Sequence, residues 1–204
     1  MSSVCILNYG SGNVKSVFNL FKSITDNVVV SNNPVEISKS SHIVLPGVGA
    51  FGSAMRKIQD TLPMKVLEQS ILIEKKPFLG ICVGMQVMAD RGIEFGEYAG
   101  LGWIMGSVEK LDSKNFPLPH IGWNNITCKQ TSPLLTGLEN EPDFYFVHSF
   151  AFHAKKPQHV LATTYYGEEF CSIIQQENIY GVQFHPEKSQ RAGIKLAKNF
   201  LSLS

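Results

Sequence analysis

The sequence has no strong excess of charge of either sign. Its 204 residues include 18 lysines and arginines against 17 aspartates and glutamates, which gives a formal net charge of +1. Because nucleic acids and anionic membranes are bound through clustered basic side chains, this balance indicates neither partner. The chain also lacks an apolar run long enough to span a membrane and a signal segment at its start. We therefore expect an unprocessed cytoplasmic protein.

Cysteine is scarce, and no two cysteines form a C-x-x-C pair. The four are widely separated: Cys5, Cys82, Cys128 and Cys171. Such spacing indicates neither a zinc site nor a disulfide framework. The glycine loop Gly10-Ser11-Gly12 lacks the third glycine of a dinucleotide-binding loop, because position 15 is Lys15. We therefore expect reduced thiols, no metal and no cofactor.

Hydrophobic residues make up 44% of the chain, enough for one sizeable core, and we treat 1–204 as one domain. In the first half, short apolar runs alternate with helical patterns. The expected strands are Val4–Leu7, Val28–Val30, His42–Leu45 and the run that follows Pro77. This order predicts an α/β fold with a mostly parallel central sheet flanked by helices, whose ligands bind at the carboxyl ends of the strands. Asn13 stands where it can cap the first helix.

In the second half the pattern differs, because glycines separate short apolar segments. We expect additional short antiparallel strands here, and further strands over Phe144–Val147 and Tyr180–Phe184. The segment Pro117–Asn124 is interpreted as a proline-bounded loop, and its Trp123 as a core residue. From Ser189 onward a helical pattern closes the chain and is expected to pack on the sheet.

One cysteine lies between two glycines where a strand pattern changes into a helical one, in Gly80-Ile81-Cys82-Val83-Gly84. A turn this tight admits only glycine on either side of its apex and exposes the apical side chain above the strand ends. The following helix points its positive end at the sulfur, which favours the thiolate. Two interpretations remain for Cys82 alone: a nucleophile, or a small apolar residue of the core.

A second glycine-rich loop, Pro46–Gly52, follows the third strand. Glycines allow backbone N–H groups to point at an anion, so this loop is a candidate oxyanion site beside Cys82. Taken alone, the loop is more typical of an ordinary flexible strand-to-helix connection.

A histidine and a carboxylate follow the last strand pattern, in Phe184-His185-Pro186-Glu187. At a strand end His185 can accept a proton from Cys82, and Glu187 can hold its imidazole in the required tautomer. The glycine-bracketed cysteine and this pair together predict a Cys-His-Glu triad.

These two motifs resemble those of the class I, or triad, glutamine amidotransferases. Within that family the whole chain is similar to the branch of glutaminase subunits of imidazole glycerol phosphate synthase. The marks of that branch are Tyr9-Gly10-Ser11-Gly12-Asn13, Pro46-Gly47-Val48-Gly49-Ala50-Phe51, Gly100-Leu101-Gly102-Trp103, Pro119-His120-Ile121-Gly122-Trp123-Asn124, Tyr145-Phe146-Val147-His148-Ser149 and His185-Pro186-Glu187-Lys188-Ser189. Two positions depart from the pattern: Asn8 replaces the usual aspartate, and Phe150 the usual tyrosine.

The resemblance implies roles for particular residues. It makes Cys82 the nucleophile, His185 the acid and base, and Glu187 the carboxylate that orients His185. The residues implied in the oxyanion hole are Val48 and Val83, through their N–H groups, with Gly47. Those implied in holding the substrate glutamine are Gly49, Gln86, Glu94, His148 and Ser149.

The resemblance also implies a partner, because this chain has no second site that consumes ammonia. That partner is the cyclase subunit, a (β/α)₈ barrel, in a heterodimer that makes imidazole glycerol phosphate for histidine biosynthesis. Three alternatives stay open: a paralogous glutaminase that serves another synthase, such as one acting on surface sugars; a general cysteine hydrolase or peptidase; and a non-enzymatic subunit. The intact triad disfavours the last.

Overall fold

The computed structural model describes residues 2–138, 140 and 142–204, and confirms an α/β architecture built around one large mixed sheet. The strands are β1 (Val4–Ile6), β2 (Val28–Val30), β3 (His42–Leu45), β4 (Phe78–Ile81), β5 (Arg91–Ile93), β6 (Glu97–Ala99), β7 (Gly106–Lys110), β8 (His120–Asn125), β9 (Thr127–Cys128), β10 (Asp143–His148), β11 (Phe150–Ala154), β12 (Val160–Tyr166), β13 (Glu168–Gln176) and β14 (Ile179–Val182). The α-helices are α1 (Val14–Lys22), α2 (Pro34–Lys39), α3 (Phe51–Thr61), α4 (Met64–Glu68), α5 (Val83–Gln86) and α6 (Gln190–Leu201).

The centre of the sheet is parallel, in the order β2-β1-β3-β4-β14. Strands β1, β3 and β4 are fully buried, as apolar strands covered on both faces must be. The expected strands of the first half are therefore confirmed to within a residue. The carboxyl ends of β3, β4 and β14 lie side by side, and they carry the second glycine loop, Cys82 and His185 respectively.

Antiparallel strands extend this centre on one side, in the order β14-β13-β11-β7. Strand β12 pairs with β13, and β5 and β6 continue the sheet beyond β7. The prediction of additional short antiparallel strands is confirmed. The helical pattern between 52 and 73 resolves into α3, α4 and a π-helical turn over Gln69–Ile73, with Pro63 between the first two.

The interpretation of Pro117–Asn124 as a loop is wrong over most of its length. Strand β8 begins at His120 and pairs antiparallel with β10 in a separate two-stranded sheet. The backbone N–H and C=O groups of β8 find hydrogen-bond partners in β10. The strand therefore forms although histidine, glycine and asparagine are poor strand formers. Trp123 of this strand is 48% exposed, so its assignment to the core is also wrong. The strand was missed because its partner residues lie 18 to 28 positions away along the chain.

Helix α6 packs against α1 and β10, and the aromatic ring of Phe200 lies edge-on to those of Phe21 and His42. Burial of these rings ties the end of the chain to the parallel half of the sheet. In the part of the chain that the structure describes, every helix is too short or too polar to cross a membrane.

Candidate active site

Cys82 stands at the turn from β4 to α5 with φ 53° and ψ −111°, a backbone conformation that a residue with a side chain rarely adopts. The bracketing glycines are required by space. A Cβ on Gly80 would lie 2.4 Å from the carbonyl oxygen of Gly84, and a Cβ on Gly84 would lie 1.9 Å from that of Leu45. The strained turn is therefore fixed by close backbone contact, which holds the Cys82 side chain in one place.

His185 and Glu187 lie beside this turn because β14 runs parallel to β4. The Cys82 N–H donates to the Val182 carbonyl at 2.7 Å, three residues before His185. The Nδ1 atom of His185 lies 2.8 Å from Oε1 of Glu187, and both side chains are fully buried. A buried carboxylate at this distance fixes the proton on Nδ1, so Nε2 is the nitrogen left for proton transfer.

The protonation of this pair depends on their mutual contact. Burial opposes the charged imidazolium, but the Cys82 thiol and the Glu187 carboxylate outweigh burial and raise the pKa of His185 above its usual value. Burial likewise opposes ionisation of Glu187, but hydrogen bonds from His185 and Asn13 hold its pKa below the usual range. Among the described residues none forms a hydrogen bond to Nε2 of His185, which leaves it available to a substrate. The electrostatics favour the charged imidazolium form of His185.

Asn13 does not cap α1 through its side chain, contrary to expectation. Its Nδ2 donates to Oε1 of Glu187 at 3.0 Å, and its Oδ1 accepts from the Ser11 hydroxyl at 2.7 Å. The asparagine amide is used to hold the carboxylate instead of the helix end. The loop after β1 thereby becomes part of the site.

A cavity of about 500 Å³ opens beside Cys82. It is lined by Val48, Gly49, Cys82, Val83, Gln86, Glu94, Phe95, Pro119, Val147, His148, Ser149, Phe150, His185 and Lys188. All the residues that the sequence implied for substrate and oxyanion contacts line it, with the exception of Gly47. Gly47 and Glu187 lie behind the lining, against the elbow and against His185.

The loop after β3 packs directly on the elbow. A Cβ on Gly47 would lie 2.4 Å from the Gly84 nitrogen and 2.9 Å from the Tyr9 hydroxyl oxygen. Gly49 has φ +101°, which disfavours any side chain, although a Cβ there would meet no atom within 4 Å. The two glycines are thus needed for different reasons, close approach at Gly47 and backbone conformation at Gly49.

Two of the predicted substrate-binding side chains already form hydrogen bonds within the protein. Nε2 of Gln86 donates to the Phe150 carbonyl at 3.0 Å and to Oε1 of Gln183 at 3.1 Å. Oε2 of Glu94 accepts from the Phe51 N–H at 2.7 Å, at the start of α3. These contacts fix both side chains at the cavity wall before any ligand binds.

His148 enters the site as a neutral imidazole. Its Nδ1 lies 2.9 Å from the Phe150 carbonyl, which only accepts, so Nδ1 carries the proton and Nε2 accepts from Nδ1 of His120 at 3.1 Å. Burial lowers the pKa of His148 to about 3 and that of His120 to about 4. The neighbouring Ser149 is anchored through its carbonyl, which accepts from the Leu111 N–H.

Two contacts at the site were not predicted from the sequence, those of Asn13 to Glu187 and of Gln183 to the sulfur. Nε2 of Gln183 lies 3.7 Å from Sγ of Cys82. The sequence signal for Gln183 is its position two residues before His185, although its backbone forms a bend after β14 and not an extended strand. Asn13 carried no such signal, since its partner lies 174 residues away.

Comparison with known proteins agrees with this geometry. Residues 5–203 match the family "Glutamine amidotransferase class-I". The chain is 44% identical over 209 residues to the imidazole glycerol phosphate synthase subunit HisH of Zymomonas mobilis, covering 98% of this chain and 95% of the relative. It is 40% identical to the subunit HisH 1 of Campylobacter jejuni, covering 98% and 100%.

A solved structure titled as a glutamine amidotransferase superimposes with a TM-score of 0.75 at 16% identity, covering 98% of this chain and 97% of that one, which supports the fold. The match to the family covers nearly the whole chain and includes both halves of the site. This chain belongs to the class I glutamine amidotransferase family.

Proposed function

We propose that this chain is the glutaminase subunit of imidazole glycerol phosphate synthase and acts in cytoplasmic histidine biosynthesis. It hydrolyses glutamine to glutamate and ammonia and passes the ammonia to a cyclase subunit. The observation that carries the proposal is the strained Cys82, next to a His185–Glu187 pair 2.8 Å apart, at the wall of a cavity sized for a small molecule.

The reaction proceeds in two halves. The Cys82 thiolate attacks the carboxamide carbon, the C–N bond breaks, and the His185 imidazolium gives its proton to the departing nitrogen to release ammonia. Neutral His185 then takes a proton from water, and the resulting hydroxide attacks the γ-glutamyl thioester. The C–S bond breaks, which releases glutamate and restores the thiolate and the imidazolium. Glu187 keeps Nδ1 protonated throughout, so that Nε2 makes both transfers.

The negative charge of each tetrahedral intermediate needs hydrogen-bond donors at the cavity wall. The backbone N–H groups of Val83, at the start of α5, and Val48, in the loop after β3, fill this role, and Gly47 lets the loop approach the elbow. One such donor contributes about 2.7–4 kcal/mol to transition-state stabilisation in related acyl-transfer sites.

The cavity wall also suits a free amino acid better than a peptide. Glu94 offers a carboxylate to an α-ammonium group, while Gly49 and Ser149 offer backbone groups to the other end. His148, held neutral and buried, presents a polar surface without charge, and Gln86 contributes its remaining oxygen. A peptide chain would require an open groove past Glu94, where Glu94 is tied to the start of α3.

Exposed apolar side chains surround the cavity and support a docking face for the partner. Val48 and Phe95 line the cavity and are 40% and 90% exposed. Ile121 and Trp123 are 59% and 48% exposed on β8, directly after the cavity-lining Pro119. Apolar side chains grouped in this way mark an interaction surface. We assign it to the cyclase subunit, a (β/α)₈ barrel, in a heterodimer.

Reconstitution with that cyclase tests the proposal. The two chains together should form imidazole glycerol phosphate from glutamine and the cyclase's nucleotide substrate. The cyclase alone should do so only with a high concentration of ammonium salt. A complex with Cys82→Ala should retain the ammonia-dependent reaction and lose the glutamine-dependent one.

Two outcomes would contradict the proposal. A cyclase that requires intact Cys82 even with free ammonia would show that ammonia is not the shared intermediate. Glutamine hydrolysis without any stimulation of the cyclase would point to a paralogous glutaminase that serves another synthase.

A further inference from the structure

The Cys82 sulfur has a hydrogen-bonding neighbour outside the triad. Nε2 of Gln183 lies 3.7 Å from Sγ, within the range of a hydrogen bond to sulfur. The Gln183 side chain is fully buried, so its amide reaches the sulfur from inside the protein. A substrate that enters from the cavity therefore leaves this contact in place.

A chain of contacts determines which end of the Gln183 amide faces the sulfur. It begins at the Phe150 carbonyl, which only accepts hydrogen bonds and therefore fixes the NH₂ group of Gln86 toward it. The same NH₂ group donates its second hydrogen to Gln183, at 3.1 Å, so the Gln183 oxygen lies on that side. The nitrogen of Gln183 is then the end that faces Cys82.

An N–H group aimed at sulfur acts differently on the thiol and the thiolate. Hydrogen bonds to an ionised acceptor are roughly twice as strong as those between neutral groups. Because Cys82 is only 4% exposed, few water molecules can solvate its negative charge. A donor from the interior compensates for part of that loss, both in the resting enzyme and when the thioester C–S bond breaks.

The position of Gln183, directly after β14, supports this assignment. The residue is joined to the sheet through its own N–H, which donates to the Ser172 carbonyl at 2.9 Å. His185 follows two residues later on the same segment, so one strand end supplies two groups to one sulfur. His185 is charged and exchanges a proton, whereas Gln183 cannot exchange one and stays a donor throughout.

We propose that Gln183 is a catalytic residue that donates a hydrogen bond to the Cys82 thiolate, and that Gln86 is the positioning residue that orients its amide. This assignment rests on the proposed role of Cys82 as the nucleophile. It gives Gln86 a second task besides facing the substrate.

The test measures the reactivity of Cys82 without any glutamine. The rate of Cys82 alkylation by iodoacetamide is followed against pH by peptide mass spectrometry, in the full chain and in the variants Gln183→Met and Gln183→Glu. Methionine keeps the length of the side chain, and glutamate keeps its shape and, when ionised, has no hydrogen to donate. In both variants the midpoint of the alkylation profile should move to higher pH, and the rate at pH 7 should fall on the order of tenfold.

Gln176→Met on β13 is the matched control. Gln176 likewise donates a hydrogen bond from Nε2, but to the Trp103 carbonyl, at 3.2 Å. Its alkylation profile should equal that of the unmodified chain. Gln86→Met should shift the profile in the same direction by a smaller amount.

An unchanged profile in a folded Gln183→Met chain would overturn the proposal, whatever happens to glutamine turnover. A shifted profile in a chain that turns out not to hydrolyse glutamine would support the contact and refute the glutaminase function. The two proposals therefore fail separately.

Discussion

Asn13 donates to the same oxygen of Glu187 that contacts His185, at 3.0 Å and 2.8 Å respectively. The loop after β1 is thus connected to the sulfur through Glu187 and His185. This loop also contains Asn8, one of the two positions at which the sequence departs from the pattern that it resembles. A shift of the loop would move the carboxylate and change the position of the imidazole.

Replacing Asn13 by alanine should impair turnover without unfolding the protein. Glu187 would lose one of the donors that keep it ionised and oriented, so we expect kcat for glutamine to fall about tenfold, as for the loss of one charge-assisted hydrogen bond. KM should change little, because Asn13 does not line the cavity. Steady-state kinetics of the complex with the cyclase would measure both constants.

Asn33→Ala is the matched control, because Asn33 caps α2 by accepting from the Val35 N–H at 2.9 Å. This substitution should cost about 1 kcal/mol of stability and leave kcat unchanged. If Asn13→Ala lowers the melting temperature as Asn33→Ala does while kcat stays normal, Asn13 serves the helix and not the triad.

The glycine loop after β3 should make hydrolysis depend on the partner. A peptide between two glycines can rotate at small cost, so the Val48 N–H can be turned toward or away from the oxyanion by a neighbouring subunit. A missing oxyanion donor costs on the order of 10²–10³ in kcat. We expect the isolated chain to hydrolyse glutamine slowly, and the complex with cyclase and nucleotide ligand to be faster by at least that factor. Equal rates in the two would exclude this gating.

Gly49→Ala examines the same loop without a steric clash. Because Gly49 has φ +101° and open space around it, alanine adds only backbone strain of about 1–2 kcal/mol. The stimulated rate should fall while ammonia-dependent synthesis persists. Gly137→Ala, with φ +73° and a Cβ that would meet the flexible end of the Lys195 side chain, is the strain control and should not affect either rate. Stimulation that survives Gly49→Ala undiminished would place the switch elsewhere.

The buried pair His120 and His148 should make stability fall in mild acid. Burial holds their pKa values at about 4 and about 3, below the usual 6.5. The unfolded chain therefore binds protons that the native state does not, and the free energy of unfolding decreases as pH falls below 6.5. Each histidine contributes a slope of at most about 1.4 kcal/mol per pH unit. The pKa of His185 is raised, so the stability that it contributes is lost only as pH rises above 6.5. His185 therefore does not contribute to the decrease of the free energy of unfolding in acid.

Denaturant unfolding at pH 6.5 and pH 5 measures this effect. His120→Gln should be less stable than the original chain at pH 6.5 because packing is lost, but its stability should change less between the two pH values. If the stability of both proteins changed equally between pH 6.5 and pH 5, the assignment of a neutral His120 would be contradicted.

The sequence predicted the parallel half of the fold because each of its strands is a local apolar run, and Gly80, Cys82 and Gly84 lie within five residues. It could not predict β8, because several of its residues are poor strand formers and its partner β10 comes only after an intervening stretch that includes β9. The contacts that Asn13 and Gln183 make could not be predicted either, because their partners lie 174 and 101 residues away. The long-range polar contacts that support the triad could therefore not be predicted from the sequence.

The central claim, that Cys82 is the nucleophile of a glutaminase, is tested most directly by covalent labelling with a diazoketone or chloroketone analogue of glutamine. Burial raises the pKa of Cys5 to about 11 and that of Cys171 to about 12, so these thiols stay protonated at neutral pH. Peptide mass spectrometry should find one label per chain, on Cys82, with protection by excess glutamine and loss of glutamine hydrolysis in step with labelling. Label on Cys5, Cys128 or Cys171 with Cys82 unmodified, or full hydrolysis by a labelled Cys82 chain, would contradict the account.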